Sequence, residues 1–293
     1  MGKSLVYPKR TSNTVNRYKH RGKIQQLQDV NNPKSHWLTF RAATYDLGPI
    51  HTIINEAHVL HVSFSPGPED PFPAIIPMIG AMGSFEYPSA DLDEPLDCYL
   101  HGYVSSRIMN LARAAATNGE ESSKGLPLCI SAANLDGLIL SLTPNSHSYN
   151  YRSAILHGYA SLVTDEAEKH YAMKLVTNKV LTDRWDNTRV PPNAAEMSST
   201  TILKVKIVDG SGKIRDGGVS DEKKDREDEE ITGRVWTGVV PAWQTFGEPV
   251  SAEGNRVEEI PAHVREYVKK TNEKNKAYAY KAIGVELPKE EQH

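Results

Sequence analysis

From position 45 onward the apolar residues recur with two distinct periods. Ile50, Ile53, Ile54 and Ala57 follow helical spacing and predict a short amphipathic helix. Runs of strand length follow: His58–Phe64, Ala74–Ile79, Cys98–Tyr103, Leu126–Ala132 and Leu138–Leu142. Turn-formers such as PGPEDPFP and ADLDEP separate them. Asn134–Gly137 (NLDG), lying between two of these runs, predicts a hairpin. Arg152–Val163 alternates, with Ala154, Leu156, Ala160 and Leu162 on one side and His157, Tyr159 and Ser161 on the other. Gly158 within it marks a bulge or a close approach by another group. Ile202–Val208 alternates too, Leu203, Val205 and Ile207 inward and Lys204 and Lys206 outward.

Between these two strands, Asp165–Asp186 reads as a helix. Asp165 caps it, with Glu168 three residues on, and Ala167, Tyr171, Leu175 and Trp185 form its apolar side. Residues 216–233 read as a charged, solvated loop and Val235–Val240 as a last core strand. His263–Ile283 reads as a charged helix with a weak stripe of Val264, Tyr267 and Val268. Six or more strands with one inserted helix make the chain mostly β and argue for a barrel, because closure removes exposed edges. The organisation expected is an N-terminal arm at 1–40, a barrel domain at 41–250 and a helical extension at 251–293.

Charge and cysteine usage narrow the function classes. The formal net charge of −3 over 293 residues provides no general attraction for nucleic acid or anionic lipid. Cys98 and Cys129 lie in apolar runs and read as buried thiols, not a disulfide framework or zinc site. No apolar stretch nears the roughly 20 residues of a membrane span, and MGKSLVYPKR lacks the apolar core of a secretory signal. A soluble, cytoplasmic protein is expected.

Several signatures fail on inspection. Gly210–Lys213 resembles a phosphate loop, but Ile207 and Ile214 occupy positions that must be glycine and Ser/Thr. No GxGxxG opens a helix, and the histidines show no zinc spacing. Two polar segments survive. In Tyr99–Arg107 (YLHGYVSSR) a strand ends in His-Gly, and Ser105, Ser106 and Arg107 follow within one turn. Hydroxyls, backbone N–H groups and a guanidinium so placed can hold a phosphate; equally they can form an ordinary helix start with Ser105 as cap. In Ser146–Ser153, Arg152 and Ser153 enter the long alternating strand. There they can donate to an electron-rich ring, or simply mark a strand start and pair with an acid.

With these blocks in place, the chain resembles the flavin-nucleotide-binding proteins related to pyridoxamine 5′-phosphate oxidase, including the nitroimidazole-resistance reductases. The resemblance rests on Tyr45-Asp46 with Ile53–Ala57, PAIIP at 73–77, YLHG at 99–102 with Ser106-Arg107, and DGLIL at 136–140. NYRS at 150–153 with Gly158, KIRDGGVSD at 213–221 and VWTGVVP at 235–241 complete it, over roughly residues 40–250. It implies a six-stranded antiparallel FMN-binding split barrel, a homodimer with FMN at its interface, and oxidoreductase chemistry on a small organic substrate with NAD(P)H as a candidate electron donor. By the same resemblance Ser105, Ser106 and Arg107 are phosphate contacts, and Pro77 and Met78 edge the isoalloxazine. Tyr151, Arg152 and Ser153 are ring contacts, and Trp236 is a wall from the neighbouring subunit. His101, beside that ring, is the candidate proton donor, the alternative being a hydrogen-bonded barrel histidine. A flavin store or sensor and a haem-binding or haem-degrading barrel are the alternative functions. The long loop 83–97 and the insertion 112–124 depart from the family pattern. No substrate-phosphate Arg/His pattern stands near the C-terminus, which argues against pyridoxamine phosphate oxidation.

Overall fold

The computed structural model describes residues 5–7, 43–67, 69–117 and 124–287. The expected N-terminal arm lies outside the described residues except for 5–7, as does 118–123 of the insertion. Seven strands are present: β1 (Leu60–Phe64), β2 (Ala74–Gly83), β3 (Asp97–Tyr103), β4 (Leu126–Leu140), β5 (Ser148–Leu162), β6 (Thr200–Arg215) and β7 (Gly238–Pro241). Their order is β1-β2-β3-β6-β5-β4-β7, and β1 also pairs with β4. The first six strands therefore close an antiparallel barrel and β7 lies outside it.

The described chain forms two compact units, one of residues 5–7, 43–133 and 153–212, the other of 134–152 and 213–287. In the first unit, alternation sorts the side chains. Leu60 and Val62 of β1, Leu100 of β3, Leu128 and Ile130 of β4, Leu156 of β5, and Leu203 and Val205 of β6 are buried and form the core. Helix α1 (Leu47–Glu56) adds Ile50, Ile53 and Ile54, as its spacing requires. Helix α2 (Arg107–Ala115) follows β3. Helix α3 (Glu166–Val180) lies on the outer face of β3 and β6, where Ala172 and Val176 pack on Tyr99 and Ile202. Asp165 caps it by accepting from the Glu168 N–H, as the sequence indicates. A short helix, α4 (Ala194–Ser199), carries an Asn193/Glu196 capping box.

The second unit contains the distal parts of β4, β5 and β6, together with β7 and three helices. Helices α5 (Lys223–Arg226) and α6 (Glu229–Arg234) stand where a loop is expected. Asp228 makes α6 possible by accepting from the Ile231 N–H. Helix α7 (Ala262–Lys281) matches its expected span closely. Asn272 ties it to Phe246 by two hydrogen bonds, one to the N–H and one to the carbonyl.

Three expectations are corrected. Asn134–Gly137 is not a hairpin but part of the continuous strand β4. A tight hairpin there needs positive φ, which neither Asp136 nor Gly137 has. The reversal comes later, around the 3₁₀ turn Pro144–Ser146. The helix expected to reach Asp186 stops at Val180, because Leu181 is extended and Asp183 takes a φ of 59°. Trp185 is buried from a separate turn, edge-on to His170. The last strand is not core: β7 covers Gly238–Pro241 and, among the described residues, pairs only with Gly137–Leu140 of β4.

Candidate functional site

The outer face of β1–β3 is set by register. Ile79 lies opposite His101, His101 opposite Ile202, His61 opposite Pro77, and Ser63 opposite Ile75. Helix α3 covers one half of this face. A polar network secures it: the Tyr99 hydroxyl donates to Glu168 at 2.7 Å, and Lys204 bridges Glu168 (2.8 Å) and Asp97 (3.4 Å). Burial, then the bond to Glu168, raise the Tyr99 phenol and keep it a donor. The other half is exposed and largely apolar, with Ile75, Pro77, Ile79 and Tyr103 on it.

His101 stands at the boundary between the halves. Its edge reaches solvent, yet the surrounding protein desolvates the imidazole and pushes its pKa below the usual range. The neutral ring, which can accept or donate a proton, is thereby favoured near neutral pH.

At the end of β3 the chain turns, the Ser106 N–H donating to the Tyr103 carbonyl, and α2 begins. Ser106, not Ser105, is the N-cap, and its hydroxyl makes no capping bond. That oxygen is buried without a partner. Gly102 permits this close approach of helix and strand. A Cβ there would stand 2.5 Å from Met109 Cε, 3.5 Å from Met78 Cε and 3.9 Å from Ser106 Oγ. Arg107 is exposed and donates from Nη2 to the Pro66 carbonyl at 3.3 Å, a long bond. The structure thus gathers Gly102, Ser106 and Met78 on the inward side of the end of β3, with Arg107 exposed beside them. Pro77 faces outward on the exposed face; Met78 does not, its side chain being turned inward and buried. Ser153, on β5, is half-buried and removed from this end of β3 in the strand order.

Tyr151, Arg152 and Trp236 are positioned by the second unit's own packing. Arg152 is buried, paired with Asp136 through Nη2–Oδ1 at 2.8 Å and Nε–Oδ2 at 3.0 Å. Its guanidinium lies 3.5 Å from the centre of the Tyr278 ring. The sequence alternative in which Arg152 pairs with an acid is the one the structure displays, although the acid is internal. Lys213 Nζ lies 5.6 Å from the centre of the Tyr151 ring. Trp236 is 65% exposed and rests on Gly238, so it is a surface side chain and not core. Asp136 and Tyr278 escaped the sequence reading. A buried arginine demands an acid, and Asp136 at the head of the DGLIL block was the available signal.

Among the described residues, no group of three His, Cys, Asp or Glu side chains could hold a metal ion, and no helix is long and apolar enough to cross a membrane.

A family model described as pyridoxamine 5′-phosphate oxidase matches residues 47–214. Among solved structures, the flavocytochrome Anf3 from Azotobacter vinelandii is 22% identical with a TM-score of 0.60, over 80% of this chain and 97% of that one. The FAD and heme binding protein from Mycobacterium smegmatis is also 22% identical with a TM-score of 0.60, over 78% and 98%. A 5-nitroimidazole antibiotic resistance protein from Bacteroides thetaiotaomicron is 17% identical with a TM-score of 0.43, over 61% and 90%. At 22% identity, the likeness to the first two establishes the barrel fold alone. No curated protein matches the chain.

Proposed function

The chain belongs to the pyridoxamine 5′-phosphate oxidase family, and from that premise we propose that it is a flavin-dependent oxidoreductase. In this reading it holds FMN on the exposed outer face of β1–β3, in a homodimer, and acts on a small organic substrate. The observation that carries the reading is the buried, unpartnered Ser106 hydroxyl beside Arg107, where α2 begins. A buried hydroxyl without a partner is costly, and a phosphate oxygen would satisfy it. The helix start contributes N–H groups and partial positive charge, and Arg107 can exchange its long bond to Pro66 for a charge-assisted one.

The flavin, when bound, supplies the electron transfer. The residues do the rest. Ser105, Ser106 and Arg107 hold the phosphate; Pro77 and the backbone at Met78 form a flat apolar bed for the ring. His101, kept neutral by desolvation, holds or delivers a proton at the ring's edge. Tyr151, Arg152, Ser153 and Trp236 are kept as proposed contacts, with Arg152 acting through its fixed position because its charge is already met by Asp136.

Arg107→Ala tests the phosphate assignment. Loss of a charge-assisted contact of about 1.5–3 kcal/mol should weaken FMN binding roughly tenfold to hundredfold. Riboflavin, which lacks the phosphate, should bind the variant as it binds the parent in a fluorescence titration. Equal losses for both ligands would make the effect structural and remove the assignment. FAD in place of FMN on release from the purified protein would correct the cofactor and leave the site standing.

A second reading, flavin together with haem, has one observation in its favour. His263, in the first turn of α7, has a buried Nε2 without a hydrogen-bond partner, and the two similar structures with TM-scores of 0.60 are a flavocytochrome and an FAD and heme binding protein. This reading requires a Soret band that His263→Ala removes; a spectrum with flavin bands alone discards it. NADPH turnover with an artificial acceptor separates an enzyme from a flavin store.

A further inference from the structure

A cavity of ≈ 370 Å³ opens on the outer face of the first unit, away from α3. Ser63 and Ser65 from β1 and the turn after it, Cys129 from β4, and His157 and Tyr159 from β5 supply its polar groups. The remaining lining is apolar side chain and the Gly158 backbone, and among the described residues no carboxylate, ammonium or guanidinium belongs to it. The volume lies within the range of small-molecule sites, about 300–1,000 Å³. An ionised ligand seated in this open hollow would find no opposite permanent charge among the described lining residues to offset the hydration it gives up. The hydroxyls of Ser63, Ser65 and Tyr159 are instead matched to the carbonyls, hydroxyls and ring nitrogens of a neutral molecule.

Its place in the sheet links it to the proposed flavin face. Ser63 lies in register with Ile75 on β2 and with Cys129 on β4, so it faces outward between the two strands. Pro77, two residues from Ile75, looks the same way. The cavity edge is thus one strand, about 5 Å, from the strand that would carry the isoalloxazine.

We propose that this cavity is the substrate site and that it takes an uncharged ring compound, such as a phenol, a quinone or a neutral heterocycle, to the exclusion of phosphorylated and carboxylate substrates. Its role as substrate site rests on the flavin reading above; its ligand class rests on the lining alone.

Cys129 provides a reporter. It is half-buried at the cavity, whereas Cys98 is fully buried and its thiol is pushed up to about 12, chiefly by burial. N-ethylmaleimide should therefore alkylate Cys129 and spare Cys98 in the full chain, as read by mass spectrometry. Three probes share one ring system: 2-naphthol, 2-naphthalenesulfonate and 2-naphthylmethylammonium. At ten times its dissociation constant, 2-naphthol should slow alkylation about tenfold, and the two ions should leave the rate unchanged. In Ser63→Lys, the sulfonate should become protective. Protection by the sulfonate in the parent, or by none of the three, overturns the ligand class, as does a Ser63→Lys variant with the parent's pattern. A Cys129 that reacts only on dilution to monomer makes the groove a contact between two copies and overturns the proposal. Protection by 2-naphthol in a chain that binds no flavin retains the ligand class and overturns the flavin reading alone.

Discussion

Tyr7 and His51 show how much one buried pair can fix. The His51 Nδ1–H donates to the Leu92 carbonyl at 2.7 Å, so its Nε2 must accept, and the Tyr7 hydroxyl donates to it at 2.6 Å. Tyr7 is held in turn by the bond from its N–H to the Tyr45 carbonyl, and its ring lies against Gly210, where a Cβ would come within 2.8 Å. Tyr7→Phe keeps the ring and strands Nε2, at an expected cost of about 1–3 kcal/mol in a denaturant melt. Desolvation lowers the His51 pKa, with the Leu92 bond and Asp93 opposing weakly. The folded state therefore resists a proton that the unfolded chain accepts below about pH 6.5. Stability from this group is full above that pH and should fall as the pH drops toward 5. An unchanged melting temperature between pH 7.5 and 5.5 would contradict it. The polar cluster at Ser105–Arg107 was legible because polar groups gather where a strand ends. The Tyr7–His51 pair was not, since 44 residues separate partners that carry no local pattern.

At the scale of elements, strand periodicity was the reliable signal and punctuation the weak one. Strand β6 alternates as read over Ile202–Val208 and then continues to Arg215; Asp209 and Gly210 are both buried, a break in alternation that shifts the outward set. NLDG misled because turn-forming composition and turn conformation are separable. Here Asp136 serves a buried ion pair and Gly137 lies beneath Val239. Removing one partner of that pair is the sharp test of the β4–β5 element. Asp136→Ala removes the acid that pairs with the buried Arg152, for an expected loss of about 3–5 kcal/mol. The double change Asp136→Leu with Arg152→Met should recover most of it in a thermal melt. A single variant as stable as the parent would mean that Arg152 reaches another acceptor.

For the whole molecule, the proposed homodimer follows from what the first unit leaves uncovered. Ile75 is 62% exposed and Tyr103 64%, on the face where the flavin is proposed to lie. Ile75→Asp should shift the protein to monomer in light scattering and weaken flavin binding with it. A stable dimer with unaltered flavin affinity would move the interface elsewhere.

The same closed topology has a cost in time. Strand β3 finds one of its two neighbours only when Val205 reaches Cys98, about a hundred residues later in the chain. Contacts this distant in sequence close slowly, because the intervening chain must be drawn in before any pairing is gained. On the ribosome, at about 5–20 residues per second, β3 waits roughly 5–20 s for β6. During that wait Cys98, Tyr99 and Leu100, all fully buried in the finished barrel, stand on an unpaired edge. The biosynthesis of this protein therefore passes through a window of stickiness that its folded surface does not reveal.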